Sequence, residues 1–124
     1  MHLELKNINE LFILHAAILE VKFAENLSHN STTLSTFLKD VSNKIIDKLI
    51  DLSHQNSVYG TPEEWNYWRE LTPERREWKV IESYIVQNSG HWEKCNLEEK
   101  NHFIDIVISP FKIQDKHRNQ LLSL

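Results

Sequence analysis

Apolar residues recur at intervals of three and four along the first half of the chain, which is the spacing of an amphipathic α-helix. A first helix is predicted from Ile8 to Ser28 and a second from Leu34 to Leu52, with the polar run 28–33 between them. Two long helices joined by a short polar loop favour an antiparallel hairpin. The positions that set this pattern are Ile8, Leu11, Phe12, His15, Ile18, Leu19, Val21, Phe23 and Leu27, then Leu34, Phe37, Leu38, Val41, Ile45, Leu49 and Leu52.

A third long helix is predicted over Thr72–Asn88, in the middle of the chain. Thr72 offers a capping hydroxyl, Pro73 suits the first helical position, and Gly90 supplies a left-handed stop. Apolar residues cover more than one stripe of this segment, so neighbouring elements are expected to enclose it. A strand through Val80–Val86 is the alternative interpretation, because a short apolar run fits either element.

Shorter helices are predicted on both sides of this central one. Thr61–Glu64 has the spacing of a capping box, and the helix that it starts is expected to continue through Leu71. Asn96–Glu99 repeats that spacing before a helix that Pro110 ends. A last short helix is predicted around Asp115–Leu122.

These elements predict an all-α fold: a single domain, residues 1–124, with about five to seven helices opened by the long antiparallel hairpin. The chain of 124 residues is 40% hydrophobic, which suits one core, and its two glycines and three prolines leave little material for strand turns. The residues expected to be buried together are Phe12, Phe37, Ile45, Trp78, Ile81, Ile85, Ile104 and Val107.

The formal net charge of −4 is unevenly distributed. Residues 1–58 carry −2, residues 59–99 carry −4 and residues 100–124 carry +2. An acidic central block repels nucleic-acid phosphates, so we expect a basic protein partner and no nucleic acid. The single cysteine, Cys95, excludes an internal disulfide, and no targeting segment or membrane span is recognisable. A cytoplasmic protein without a membrane partner is therefore expected.

All four tryptophans lie between residues 65 and 92, together with four of the nine acidic side chains of the central block. Tryptophans at helical spacing are typical of a core, and an acidic helix face is commonly only solvated. The alternative is a surface that binds a partner, because aromatic side chains beside carboxylates suit recognition of a basic protein. The candidate residues are Glu63, Tyr67, Glu70, Glu74 and Glu77, with any exposed edge of Trp65 or Trp68 as an anchor.

No pattern of catalytic residues stands out. The chain lacks Gly-x-Ser-x-Gly, His-Glu-x-x-His, a glycine-rich phosphate loop and a dinucleotide fingerprint, and its seven histidines have no supporting local context. His91, Cys95 and His102 have spacings that zinc accepts, but a structural zinc site needs four ligands, so a free thiol and surface histidines are favoured. We therefore expect no enzyme activity, no cofactor and no metal.

A small, acidic, mostly helical chain without a catalytic motif, with its aromatic and acidic residues concentrated in Tyr59–Trp92, resembles a bacterial toxin-immunity protein. The resemblance is to the immunity proteins of contact-dependent growth-inhibition systems, and it covers size, charge and helical class only. It implies a protein that binds and neutralises a cognate basic toxin, often a nuclease, by covering the active site of the toxin with an acidic surface. Two alternatives stay open: a small helical adaptor or chaperone that binds a protein partner, and an enzyme with dispersed catalytic residues.

Overall fold

The computed structural model describes residues 7–24 and 36–124. Seven helices and one pair of two-residue strands make up these parts of the chain, so the mostly helical fold is confirmed. In chain order the elements are α1 (Ile8–Lys22), α2 (Thr36–Ser53), α3 (Pro62–Trp68), β1 (Glu70–Leu71), α4 (Arg76–Gln87), α5 (Ser89–Lys94), α6 (Leu97–Ile108), β2 (Lys112–Ile113) and α7 (Asp115–Leu122).

The first helix is shorter than its apolar pattern predicts. Asn7 caps it, with a side-chain oxygen that accepts hydrogen bonds from the backbone N–H groups two and three residues later. The helix ends at Lys22, so the prediction that it continues to Ser28 is wrong. Phe23 leaves the helical conformation and its ring is almost completely buried, so tertiary packing overrides the local period here.

The second helix packs against the first. Residues 25–35, which include the predicted ends at Ser28 and Leu34, lie outside the described part of the chain, so the antiparallel hairpin itself stays a prediction. The apolar residues through which α1 and α2 share a buried cluster are Ile8 and Leu11 of α1 and Ile45, Ile46 and Leu49 of α2.

The third helix begins as predicted, with both hydrogen bonds of the capping box formed between Thr61 and Glu64. It ends at Trp68, so the prediction that it continues to Leu71 is wrong. Leu71 instead lies in β1, which pairs in parallel with β2 and faces Ile113 in the ladder. A two-residue strand shows no alternation in a sequence, and its partner is distant along the chain, so local periodicity does not reveal it.

The central helix α4 begins later than predicted, at Arg76 and not at Thr72. The preceding four residues form a turn in which the N–H of Arg75 donates to the carbonyl of Thr72 at 3.1 Å. Pro73 therefore serves this turn, for which its fixed φ is equally suited, and not the first turn of the helix.

The end of α4 also differs from the prediction. The helix stops at Gln87, and Gly90 lies inside α5, so the predicted left-handed glycine stop is wrong. Among the described residues only Gly60 has a positive φ, of 138°. Val80–Val86 is helical throughout, which excludes the strand interpretation. Asn88 follows α4 without adopting a left-handed backbone conformation and leads directly into α5.

The last two helices are confirmed. Asn96 and Glu99 form a complete capping box at the start of α6, which ends two residues before Pro110. The final helix spans Asp115–Leu122, as predicted. None of the helices in the described ranges is long and apolar enough to cross a membrane.

Buried apolar side chains form two clusters, so the prediction that eight residues are buried together in one core is wrong. Phe37 is 75% exposed on α2, and Phe12 is half-buried at the edge of the cluster that contains Ile45. The smaller cluster is formed by Ile8, Leu11, Ile45, Ile46, Leu49 and Trp65. The larger cluster is formed by Phe23, Leu71, Trp78, Val80, Ile81, Tyr84, Ile85, Trp92, Ile104, Val107, Ile108, Phe111 and Leu121.

Candidate functional site

The outer side of α3 carries two of the predicted partner-binding residues. Glu63 is exposed and Tyr67 is 82% exposed, and four residues separate them on the helix. Residues four apart lie on the same side of an α-helix, so these two side chains are neighbours on one surface. An aromatic ring exposed to this degree on a structured helix contributes nothing to a core.

The other predicted acidic residues are spread over the elements after α3. Glu70 is half-buried on β1, where its carboxylate accepts a hydrogen bond from the side-chain amide of Gln114. Glu74 is exposed in the turn before α4. Glu77 is half-buried in the first turn of α4 and accepts a hydrogen bond from Nε of Arg75 at 3.3 Å.

The two predicted aromatic anchors lie mostly inside the protein. Trp65 is 6% exposed in the smaller cluster, so it offers no surface to a partner. Trp68 is half-buried between the two clusters, with its ring centroid 4.7 Å from that of Phe111. The guanidinium of Arg75 lies 5.4 Å from the Trp68 ring and covers part of it. Trp65 is therefore a core residue, whereas Trp68 is a partly buried residue between the two clusters.

An aromatic cavity of about 450 Å³ opens beside the smaller cluster, and the sequence pattern did not predict it. The rings of Phe12 and Tyr59 stack face to face there, with centroids 4.0 Å apart and planes 3° from parallel. The hydroxyl of Tyr59 donates to the side-chain oxygen of Asn9 at 2.5 Å and so fixes the ring against α1. The residues that line the cavity are Phe12, His15, Ala16, Leu19, Tyr59, Gly60, Glu64, Trp65 and Trp68.

His15 is the buried polar residue of this cavity. Its ring is 6% exposed and lies edge-to-face with both Trp65 and Trp68, at centroid distances of 5.4 and 5.0 Å. Burial disfavours the charged imidazolium and lowers the pKa of His15 to about 4, so the ring is neutral at neutral pH. Neither ring nitrogen hydrogen-bonds to another described residue.

Gly60 and the Trp65 indole lie close together in another part of the cavity lining. A Cβ atom added at Gly60 would lie 3.3 Å from Nε1 of Trp65, and the positive φ of Gly60 also disfavours a side chain. The indole N–H of Trp65 is buried and finds no hydrogen-bond acceptor among the described residues. A buried donor without an acceptor lowers the stability of a folded protein, and such donors are rare in native structures.

Two buried cationic side chains connect the helices but do not reach the cavity. Nζ of Lys22 donates to the carbonyls of Ile106 and Ser109, at 3.0 and 2.6 Å, and also to the hydroxyl of Ser109. Burial lowers the pKa of Lys22 to about 7. Arg69 donates from Nε to the carbonyl of Pro110 at 2.8 Å and pairs with Asp47 at 2.7 Å. Each side chain therefore links segments that lie far apart in the sequence.

The structure brings the three residues whose spacings zinc would accept to one concave surface beside α5 and α6. His91, Cys95 and His102 all line it, and Sγ of Cys95 lies 3.6 Å from Nε2 of His91. Within residues 7–24 and 36–124, however, no group of three histidine, cysteine, aspartate or glutamate side chains is placed to hold a metal ion.

Comparison with known proteins adds no relative to this picture. No protein-family model matches the chain. No match is found among curated proteins or among solved structures either.

Proposed function

We propose that this protein binds and inhibits a basic protein toxin in the cytoplasm, as the immunity proteins that it resembles do. The observation that supports the proposal is the pairing of a freely exposed tyrosine with carboxylates on a short helix. Tyr67 projects from α3 with Glu63 one turn away, and aromatic anchors of this kind commonly dominate binding energy at interfaces.

The charge of the central block points to the same class of partner. Residues 59–99 carry a net charge of −4, and Glu63 and Glu74 are exposed without an ion pair to another described residue. Carboxylates on such a surface attract a basic protein and accelerate its association. In a nuclease the basic active site binds phosphate, and carboxylates would occupy that site in place of the phosphate groups.

The structure narrows the set of residues to which we assign this role. Glu63, Tyr67 and Glu74 stay the proposed contact residues, and Glu70 would have to exchange its hydrogen bond from Gln114 for one from the partner. Glu77 is already paired with Arg75, so we expect a small contribution from it. Trp65 and Trp68 would act indirectly, by holding α3 in place.

The test compares two double variants of the full chain. Glu63→Ala with Tyr67→Ala removes an exposed acid and an exposed apolar side chain from the proposed surface. Glu93→Ala with Leu97→Ala removes the same kinds of side chain from α5 and α6, where Leu97 is 64% exposed. Each is titrated against the toxin encoded beside it in the native host, or against the partner captured from that host and identified by mass spectrometry.

We expect the first double variant to bind at least about tenfold more weakly and the second to bind as the parent does. Thermal stability should be unchanged in both, because all four side chains are exposed. Equal weakening by both variants, or none by the first, would place the binding surface elsewhere. A captured partner that is acidic would contradict the charge argument itself.

The two alternative functions have weaker support. His15 in the aromatic cavity has a lowered pKa, as an enzyme site often requires, but a pKa of about 4 makes it a poor base at neutral pH. An adaptor would need a continuous apolar surface. The large exposed apolar side chains of the described residues are instead distributed over several elements: Ile13, Val21, Phe37, Val58, Tyr67, Val86, Leu97 and Leu124.

A further inference from the structure

We propose that the aromatic cavity between α1 and α3 binds a small organic cation with an alkylated ammonium group. The proposal concerns a different site from the surface around Tyr67 and does not rest on the toxin partner. It is argued from the volume of the cavity, from the rings and the charge of its lining, and from its shortage of hydrogen-bonding groups.

The cavity has the size and lining of a ligand site. Its volume of about 450 Å³ falls within the range that small-molecule pockets commonly occupy. Four of the nine lining residues carry phenyl, phenol or indole rings: Phe12, Tyr59, Trp65 and Trp68. The faces of such rings carry negative potential, so they attract a cation placed against them.

The charge of the lining selects a cation over an anion. Glu64 contributes a carboxylate at the rim, and no lysine or arginine is among the described residues that line the cavity. The carboxylate stays in place because the backbone N–H of Thr61 donates to it at 3.1 Å. His15 is neutral at neutral pH and therefore does not repel a bound cation. An anion would be repelled by Glu64 and by the negative faces of the rings.

The shortage of hydrogen-bond acceptors selects an alkylated ammonium over a bare one. The hydroxyl of Tyr59 is already bonded to Asn9, and the buried indole N–H of Trp65 is a donor. Among the described side chains of the lining, His15 and Glu64 are then the hydrogen-bond acceptors that remain. A primary ammonium or a guanidinium would bury N–H groups without partners, whereas an ammonium covered by methyl groups has none to satisfy.

The test uses choline and its uncharged isostere, 3,3-dimethyl-1-butanol, titrated into the full chain by isothermal calorimetry and by tryptophan fluorescence. The two molecules have the same shape and differ in the positive charge. We expect choline to bind at least about tenfold more tightly, because a desolvated cation–π contact with several rings depends on that charge. Equal affinities would mean that the cavity is merely apolar and would overturn the proposal, as would undetectable binding of choline.

Two matched carboxylate variants locate the site. Glu64→Gln keeps the capping box, since glutamine also serves at that position, but removes the charge at the rim. We expect it to weaken choline binding about threefold, the effect of one exposed charge. Glu63→Gln, one residue away and outside the lining, should leave the affinity unchanged. The same loss in both variants would place the cation on the general acidic surface.

A ring variant checks the wall itself. Phe12→Leu keeps an apolar side chain at the half-buried edge of the cavity and removes one aromatic face. We expect choline to bind at least about threefold more weakly while the protein melts within a few degrees of the parent. An unchanged affinity for choline would exclude the cavity as its binding site. A trimethyllysine peptide that binds more tightly than choline would assign the site to a protein side chain and overturn the small-molecule assignment.

Discussion

The two buried clusters differ in how completely they are closed. Among the described residues, the larger cluster contains thirteen buried apolar side chains, most of them from α4, α6 and α7, and only five partly buried side chains pack against it. In the smaller cluster the partly buried side chains outnumber the buried ones, and the aromatic cavity lies against it. Close packing stabilises a fold, whereas space beside a cluster is what a ligand needs. We therefore expect the larger cluster to dominate stability and the smaller one to carry recognition.

The largest expected effects come from truncations in the larger cluster. Ile81→Ala should lower the free energy of unfolding by about 2–5 kcal/mol, because Ile81 is 2% exposed and its neighbours leave little room to relax. Ile50→Ala, the same change at a half-buried position against the smaller cluster, should cost about 1–2 kcal/mol. Chemical denaturation measures both. Equal losses would mean that the two clusters are equally well packed.

Lowering the pH should destabilise the smaller cluster before the larger one. The pKa of His15 falls from 6.5 to about 4 on folding, so between these values the unfolded chain binds more protons than the folded protein does. The free energy of unfolding should therefore decrease as the pH falls from 6.5 to 4, by up to about 3 kcal/mol through this residue.

His15→Leu should remove that part of the pH dependence, whereas His54→Leu, at an exposed histidine, should leave it. Hydrogen exchange as the pH is lowered measures which region responds. We expect protection to fall in α1 and α3 before it falls in α4. Loss in α4 first, or an unaltered pH profile in His15→Leu, would contradict the assignment of this titration to His15.

A smaller effect is expected at the glycine that closes the cavity wall. Gly60→Ala should cost about 1–3 kcal/mol, because alanine is strained at a φ of 138° and its methyl group would press on the Trp65 indole. The control is Gly90→Ala inside α5, where nothing lies near the added methyl group. That change should stabilise the protein by about 0.5–1 kcal/mol. Thermal melting of the two variants should therefore move in opposite directions.

The smallest effect is expected at Phe37, which the apolar pattern places in the core and the structure leaves 75% exposed. Phe37→Ser should change the free energy of unfolding by less than about 0.5 kcal/mol. Phe23→Ser, the same change at a ring that is 1% exposed, should destabilise the protein by about 3–5 kcal/mol. A large loss at Phe37 would show that the surface of α2 is covered by another part of the chain.

Sequence reasoning succeeded where the signal lies within a few residues. The capping boxes at Thr61 and Asn96 and the stop at Pro110 each depend on adjacent backbone groups, and each is found in the structure. The predicted helix stop at Gly90 was wrong because a glycine can lie within a helix as well as at its end. The sequence around Gly90 does not distinguish the two. The role of Phe23 depends on residues that lie far away in the sequence.

The candidate sites also differ in whether their residues are close together in the sequence or far apart. Tyr67 and Glu63 lie four positions apart on one helix, so helix geometry alone makes them neighbours. The cavity draws His15 from α1, Tyr59 from a loop and Trp68 from α3, and no spacing relates these positions. The one local hint was His15 itself, a histidine on the apolar side of the first helix.

The parallel ladder between β1 and β2 also bears on the order in which parts of the fold can form. The carbonyl of Arg69, just before β1, accepts a hydrogen bond from the backbone N–H of Lys112, and the Arg69 side chain donates to the carbonyl of Pro110. A chain that emerges from the ribosome from its N-terminus contains α1, α2 and α3 long before it contains these partners. The end of α3 is then held in place only after residues 110–113 have been synthesised, so this part of the fold depends on contacts of high sequence separation.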